Sequence, residues 1–474
     1  MHDGLKSLLE FENSSRVLEY RFQYKNLLIW PFARYFFLEE ACRQEFHQAS
    51  LSAQTVMPSS SFAKKLSRKW NQLVQAVKSR PEKVKKDIVF LCHNGSNVVR
   101  EDGKLTNRIY DEYALIFPRD TVMLETPVEG YSSDNRVVPC VISSRCMEYQ
   151  IWFRMKLSRQ NPKDVENIDA FLDYMRSDFP VTLSDMFYSD IRRLLLEQAM
   201  KLKYLDLYFR RLIKSISPKV FFAGEGCYGL DKAYKIWIVH DMGIPVREIQ
   251  HGLVTLSHVA YNYSEKIYNS REYREYLPDI FYTFGQFWGE NIRIPIPSKV
   301  LGNANFSTNI SGEDFKKREV KNRIFIALTD HAEPFVELLR YVLPALLDDY
   351  SIVIKTHPKD AHLKEEFTEF CSYNNFSISN QGNIFDYIAE AEYVVSDYST
   401  TLYEAAGCGK KVLVSRCKQA EWFIAETIGV WFDSPAEFLN MIQSASFKES
   451  TVKQQDYIFD SNWAENYRKI IGEL

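Results

Sequence analysis

Ser399, Thr400 and Thr401 follow directly on the run YVVSD and precede LYEAAGCG, so three hydroxyls stand where a strand gives way to a helix. Hydroxyls and free backbone N–H groups at a helix N-terminus bind phosphate oxygens, and Glu404, one turn further, is placed to accept from ribose hydroxyls. Earlier in the chain the run SIVIK ends in Thr356, His357 and Pro358, between Lys355 and Lys359. A His at the C-terminal end of a strand donates to a phosphate or a ribose. Taken singly, Ser399 also reads as an N-cap and His357 as a loop histidine. Their joint position at strand ends of one domain points to a nucleotide site formed by Lys355, His357, Pro358, Ser399, Thr400, Thr401 and Glu404.

A second group lies upstream. The run KVFFAG ends in Gly224, Glu225 and Gly226, a carboxylate between glycines suited to act as general base toward an acceptor hydroxyl. The next strand-like run ends in Gln250, His251 and Gly252, followed by Thr255, Ser257 and His258, which supplies a second base or a donor-binding imidazole. Glu225 and His251 are therefore the catalytic candidates. An ordinary turn carboxylate and a buried histidine bonded to backbone are the plain alternatives. Read on to Gly229, the glycines also spell G-x-G-x-x-G, with Glu248 about twenty residues further along, as in a dinucleotide fingerprint. Such a fingerprint normally opens its domain, whereas this one follows several strand-like runs. The loop HNGSNVVREDGKLTNRIYDEY offers Asn107, Arg108 and Asp111 for substrate binding. Arg108 either clamps a substrate carboxylate or makes a surface ion pair.

Several chemistries lack their motifs. There is no G-x-x-x-x-G-K-[ST], no G-x-S-x-G elbow and no H-E-x-x-H, D-x-D or EF-hand spacing, so neither a P-loop, a serine hydrolase nor a catalytic metal is expected. No cofactor is expected either.

The elements that must position these residues follow from apolar periodicity. Continuous apolar runs at 87–95, 121–125, 219–224, 245–250, 279–285 and 299–302 alternate with helical stretches such as Asp190 to Ser215 and Leu230 to Asp241. A second series begins at 323–328 and continues at 351–358, 376–379, 393–399 and 411–415. Strands alternating with helices predict parallel sheets wound on both faces. The reading is an α/β chain with a helical N-terminal extension over 1–86 and two Rossmann-like domains, 87–305 and 306–474, the second ending in a helix. The polar stretch Asn303 to Lys321 is the expected hinge.

Charge and cysteine usage bound the setting. The 59 Lys and Arg against 62 Asp and Glu give a formal charge of −3, which leaves no global basic field for nucleic acid. The eight cysteines show no C-x-x-C pair and fit a reducing cytosol. The N-terminus is polar and acidic, unlike a signal peptide, and Leu27 to Leu38 is too short to span a bilayer. Between Lys64 and Lys86, basic residues interleave with Leu66, Trp70, Leu73, Val74 and Val77 at helical spacing. Such a helix either lies on an anionic membrane or packs by its apolar stripe. A cytoplasmic protein, soluble or peripheral to the membrane, is expected.

With two Rossmann-like domains, the K-T-H-P and S-D-Y-S-T-T-L-Y-E-A-A motifs resemble those of GT-B glycosyltransferases of bacterial surface-polysaccharide assembly. The His-Pro and Ser-Thr pair is similar to that of sialyltransferases, polysialyltransferases and Kdo transferases that use CMP-activated sugars. The resemblance implies a GT-B fold with domains facing across a cleft, a metal-independent transfer, nucleotide contacts by His357, Ser399 and Thr400, and Glu225 as base. Its partners would be a cytidine nucleotide sugar, carrying a 2-keto sugar acid such as Kdo or a sialic-acid-like sugar, and a capsule or lipopolysaccharide glycan or glycolipid. Gln250-His251-Gly252, His357-Pro358 and Asp397-Tyr398-Ser399 also resemble the CDP-glycerol glycerophosphotransferases, in which the His of the His-Gly pair would be catalytic. Leu253-Val254 replaces the Thr-Pro expected there, and Gly224 stands where the sialyltransferases carry a second acid. Kdo transferases fit both departures best. A non-catalytic scaffold subunit and a nucleotide-sugar epimerase are the readings from other classes.

Overall fold

A computed structural model of the protein describes residues 3–45, 84–100, 102–128, 134–312, 315–346, 348–356, 358–444 and 455–474. His357 and the basic stretch 64–83 lie outside the described residues.

The apolar runs form buried parallel strands, as both-face burial requires. The first series comprises β1 (Ile88–His93), β2 (Asn97–Val99), β3 (Leu105–Asn107), β4 (Thr121–Thr126), β5 (Val141–Ser143), β6 (Val220–Ala223), β7 (Val246–Ile249), β8 (Ile280–Thr283) and β9 (Ser298–Val300). The second comprises β10 (Arg323–Ala327), β11 (Ser351–Lys355), β12 (Phe376–Ser379), β13 (Tyr393–Ser396), β14 (Lys411–Ser415) and β15 (Val430–Phe432). Among the described residues they make a seven-stranded parallel sheet ordered β5-β4-β1-β6-β7-β8-β9, a six-stranded parallel sheet ordered β12-β11-β10-β13-β14-β15, and the antiparallel hairpin β2-β3. The strands β2, β3, β5 and β15 have only three residues each and lie outside the apolar runs of the sequence, whereas the equally short β9 falls at the run 299–302.

In each sheet the chain starts at a central strand, winds to one edge, then returns to the other side of that strand. The reversals fall between β1 and β6 and between β10 and β13. Connections leave in opposite directions there, so the carboxyl ends of those strands border a crevice. Register sets which residues meet: Leu91 pairs with Ala223, so His93 and Glu225, each two residues on, lie level. Ile326 pairs with Val395, which brings Thr329 beside Asp397.

Two expected domain boundaries are corrected. The N-terminal segment is no separate extension, because helices Asp3–Ser14 and Trp30–Glu45 bury Leu5, Trp30, Phe32 and Phe37 in the core of the first domain. Arg34 locks it there. Its guanidinium pairs with buried Glu12 at 2.7 Å and donates to the carbonyls of Val259 and Asn262 at 2.7 and 2.6 Å. Glu12 also accepts from Trp30 Nε1 and the backbone N–H of Ser264. The sequence offered the aromatics but not the core they join.

The tail likewise leaves the second domain. Residues 457–460 press backbone against Gly285 and Gly302, where an added Cβ would lie 2.4 Å from the carbonyl of Ile458 and 2.5 Å from that of Asp460. Trp288 Nε1 donates to the Ile458 carbonyl at 2.7 Å. Helix Trp463–Gly472 then lays Tyr467 against Tyr113, Phe222 and Phe90, with centroids 5.4, 6.0 and 6.4 Å apart. Two doubly wound domains facing across a cleft, with a tail crossing back to the first, constitute a GT-B-like α/β fold.

Tyr467 therefore joins the tail to the first sheet. Tyr467→Ala should lower stability by about 3–5 kcal/mol, as large-to-small changes of buried aromatics do. Tyr467→Phe should leave it nearly unchanged, because the ring makes the contacts and the hydroxyl has no hydrogen-bond partner among the described residues. Urea unfolding followed by tryptophan fluorescence decides it; equal midpoints for Tyr467→Ala and the native chain would show that the tail contributes nothing.

Candidate active site

The turn after β6 has no freedom. A Cβ on Gly224 would sit 2.4 Å from the Leu91 carbonyl, and one on Gly226 would sit 2.8 Å from Ile236 Cδ1 and 3.0 Å from Glu248 Oε2. Glu225 between them adopts φ 52°, ψ 44°, a left-handed conformation that turns its carboxylate into the β1/β6 crevice. There it accepts from His93 Nε2 at 3.2 Å and forms an ion pair with Lys232. Burial opposes its ionisation, but the His93 hydrogen bond, the Lys232 ammonium and the nearby His251 imidazole outweigh it and hold the carboxyl well below the usual range. A carboxylate so stabilised is a weak base and a strong fixed charge.

The glycine pattern has a packing explanation. Gly229 (φ 76°) backs onto the Pro31 carbonyl, 2.7 Å from an added Cβ, and Glu248 is buried with Tyr261 Oη at 2.6 Å and Cys227 Sγ at 3.5 Å. The close approaches a dinucleotide would need are filled by the chain itself, so that reading is set aside.

His251 sits in a hydrogen-bonded row whose direction follows from one backbone group. The N–H of Ala260 donates to His258 Nδ1 at 3.2 Å, so the ring proton of neutral His258 is on Nε2 and points to Tyr228 Oη at 3.0 Å. The single Tyr228 proton then goes to His251 Nε2 at 3.2 Å. His251 carries its proton on Nδ1, facing Tyr261 Oη at 3.4 Å, and Tyr261 donates to Glu248 Oε1. Burial pushes His251 down to about 4 and His258 down to about 3, and raises Glu248 to about 7. For His251 the Glu225 charge pulls the other way, while Lys232, His93 and Arg108 add to the depression.

The three loop candidates separate. Asp111 is fully buried, bound to Arg136 Nη2 at 2.6 and 2.8 Å and to the Asn107 N–H at 2.8 Å. Asn107 is buried too, with Oδ1 accepting from the Ile109 N–H and Nδ2 donating to the His93 carbonyl. Both are saturated by the fold, which corrects their reading as substrate ligands. Arg136, which absorbs Asp111, lies 25 residues on and gave no local signal. Arg108 is exposed, and its charge acts both on His251 and on Glu404 of the second domain.

At the β10/β13 crevice Thr329 Oγ1 donates to Asp397 at 2.9 Å, and the Tyr398 N–H donates to the same carboxyl at 2.8 Å. Burial raises Asp397 to about 6 against the Thr329 and backbone hydrogen bonds that lower it. Tyr398 Oη bonds Asp330, and His331 Nε2 lies 3.6 Å from that carboxylate. Ser399 Oγ accepts from the Thr401 N–H at 3.2 Å and donates to Thr401 Oγ1 at 3.0 Å, so its hydroxyl is tied to the start of helix Thr401–Gly407, whose N-cap residue is Thr400, and Thr401 is buried. That helix has only seven residues, which leaves anion binding to the hydroxyls rather than to a long dipole. Glu404 is raised to about 7 by burial, with Arg108 pulling it down. Lys355 turns inward: Nζ donates to the Gln381 carbonyl at 2.8 Å over the Tyr387 ring, which corrects its reading as a nucleotide ligand. Pro358 opens the 3-10 segment Pro358–Phe370. Thr329, Asp330, Tyr228 and Lys232 were not legible as site residues, since only the sheet order and the turn after β6 bring them to the crevices.

No family model matches the sequence, and no curated protein matches it. Among solved structures, the UDP-GlcNAc 2-epimerase from Neisseria meningitidis bound to UDP-GlcNAc is 11% identical, covering 82% of this chain and 100% of that one at a TM-score of 0.48. The UDP-GlcNAc 2-epimerase from Methanocaldococcus jannaschii is 11% identical, covering 82% and 100%, at 0.45. The wall teichoic acid polymerase TagF soaked with CDPG is 11% identical, covering 87% and 98%, at 0.45. These are distant likenesses, and the fold assignment rests on the sheet order described above.

The directed row predicts tautomers. In 15N-histidine spectra His258 should carry its proton on Nε2 and His251 on Nδ1, and Tyr228→Phe should release His251 to a mixture. Neither ring should titrate near the ordinary 6.5, but near about 4 and about 3. The sign for stability follows: below 6.5 the unfolded rings take protons that the folded ones refuse, so these two groups weaken the fold as pH falls toward 4. His251→Gln should flatten that slope; an unchanged slope, or a His251 titrating at 6.5, contradicts the arrangement.

Proposed function

We propose that the chain is a glycosyltransferase that carries a sugar from a nucleotide-activated donor at the β10/β13 crevice to a glycan hydroxyl at the β1/β6 crevice. The observation that supports this most is electrostatic: Arg108, on the first domain, acts on His251 of its own domain and on Glu404 of the other. Arg108 is thus close enough to both sites to act on a ligand that spans them. The K-T-H-P and S-D-Y-S-T-T motifs favour a CMP-activated donor, with a 2-keto sugar acid such as Kdo or a sialic-acid-like sugar, and a bacterial capsule or lipopolysaccharide acceptor.

In this reading His357 and the hydroxyls of Ser399 and Thr400 hold the donor phosphate, Thr329 is fixed by Asp397 beside them, and Glu404 meets the ribose. Arg108 clamps the carboxylate of the sugar acid, as a planar guanidinium does. The acceptor oxygen bonds the anomeric carbon while the bond from that carbon to the phosphate oxygen breaks, and CMP leaves with the electron pair. The acceptor proton passes to His251 Nε2 through Tyr228, whose hydroxyl already donates there and keeps one lone pair free after His258. Glu225 stays ionised and stabilises the imidazolium formed, so it assists the base rather than being the base.

That assignment also keeps a second reading open, transfer of a polyol phosphate from a CDP-linked donor, because a neutral His251 beside a fixed carboxylate suits the resemblance in which the His-Gly histidine is catalytic.

Thermal melting with CMP, CDP, UDP, GDP, ADP and NAD is the first test. A ligand at about a hundred times its Kd adds about 2.7 kcal/mol of apparent stability. Cytidine nucleotides should raise the melting temperature, and His357→Ala should abolish the rise. Donor turnover then separates CMP-sugar from CDP-polyol transfer, with His251→Gln and Tyr228→Phe expected to lower kcat by about 10²–10⁴-fold. Stabilisation by UDP or NAD alone defeats the cytidine reading, and a His251→Ala, Glu225→Ala chain that still complements a deletion strain marks a scaffold.

A further inference from the structure

We propose that the outer surface of the first domain formed by helices Arg145–Lys156 and Asp185–Ile216 docks on an anionic lipid bilayer. Helix Arg145–Lys156 turns Met147 and Ile151 inward. Its outward positions 149, 152, 153 and 156 follow the i, i+3, i+4, i+7 spacing of one helical face, and they hold Tyr149, Trp152, Phe153 and Lys156. Trp152 is 38% exposed, Phe153 53%, and Leu157, just past the helix end, 70%. Isolated exposed apolar residues are ordinary, but three large ones in six consecutive positions are not.

The long helix extends this surface. Arg154 Nε donates to Tyr208 Oη at 3.4 Å, and Ser158 Oγ is hydrogen bonded to Tyr204 Oη, so the two helices abut there. On the same stretch of the long helix, Lys203, Leu207, Arg211 and Lys214 are exposed at successive turns, Leu207 at 51%.

Charge identifies the occupant. Of the Lys and Arg in 145–163 and 199–219, Lys201 pairs with Asp231, Arg210 with Asp206 and Asp241, and Lys219 with Asp87, while Lys156, Arg159, Lys163, Lys203, Arg211 and Lys214 are exposed and make no ion pair among the described residues. Within the two stretches the acids are Glu148, which accepts from Ser144 Oγ at 2.6 Å, and Asp206, which pairs with Lys25 and Arg210. What remains is a set of cations around protruding Trp, Phe and Leu side chains. Aromatic and aliphatic tips enter the headgroup and acyl boundary while surrounding Lys and Arg meet lipid phosphates. An acidic protein face would match the same cations, and failure of the chain to float with anionic vesicles would point to it.

Flotation of the full chain with vesicles of phosphatidylcholine and phosphatidylglycerol, against phosphatidylcholine alone, tests the proposal. The chain should float with the anionic vesicles only, and less as added salt shortens the Debye length. Trp152→Ser/Phe153→Ser/Leu157→Ser should lower partitioning at least about tenfold. Lys203→Gln/Arg211→Gln/Lys214→Gln should lower it about a hundredfold, each cation near the surface being a factor of about five. All substituted side chains are exposed, and equal melting temperatures certify the folds. The segment 64–86 is present in every chain, so its contribution cancels in the comparison. No flotation of the native chain, equal flotation with both vesicle types, or flotation unchanged in both variants would falsify it.

Discussion

The turn from Ala223 to Gly226 is the constraint on which the first domain's chemistry depends. Its backbone is jammed against β1 on one side and against Ile236 and Glu248 on the other, so that neither flanking position admits a side chain. Glu225 is thereby held in a left-handed conformation that costs a non-glycine residue about 1–3 kcal/mol. The ion pair with Lys232 and the hydrogen bond from His93 offset that cost, and they also fix where Lys232 and His93 stand. Without the parallel pairing of β1 with β6, and Leu91 level with Ala223, these three groups would not meet.

Burial then sorts the neighbouring titratable groups by their partners. Glu225 and Glu248 lie on adjoining elements, yet one is held well below the carboxylate range and the other is raised to about 7. The difference is the company each keeps: Glu225 touches an ammonium and an imidazole, whereas Glu248 accepts from a phenol, a thiol and the Gly226 backbone, all neutral. Hydrogen bonds from neutral donors do not offset the desolvation of a carboxylate as a cation does. The result is a charged rim and a neutral interior, with His251 between them. An imidazole kept neutral by burial takes a proton only against that burial, and the Glu225 carboxylate beside it is the charge that favours the protonated form.

The strands were legible because buried parallel strands are continuous apolar runs, and Glu225, His251 and Ser399 stood out because they end such runs. Local reading failed where the deciding contact was remote. Asn107 and Asp111 share a polar loop with Arg108, and nothing nearby separates them, yet Arg136 takes Asp111 into the core and leaves Arg108 outside. Thr329 follows an apolar run as plainly as Ser399 does, but its meaning depends on β10 lying beside β13, which is a property of sheet order. Lys355 occupied the expected strand end and still turned inward, because a carbonyl and an aromatic ring were within reach of its stem. The tail was assigned to the wrong domain for a similar reason, since helical periodicity says which face is apolar but not which sheet covers it.

The two reversals are one topological device used twice, and their chemical contents differ in a way that divides the labour. The β1/β6 crevice carries fixed charges of both signs in contact. The β10/β13 crevice is built of hydroxyls around a carboxyl that is itself tied to Thr329 and to backbone N–H. Asp397 thus braces its neighbours and leaves Ser399 and Thr400 at the strand end. Burial raises Asp397 to about 6 and Glu404 to about 7, so these carboxyls are protonated more readily than free ones, and an anion arriving beside the hydroxyls would favour that neutral form further. A crevice of opposed charges holds its field in place before any ligand arrives, which is what a proton transfer there would use.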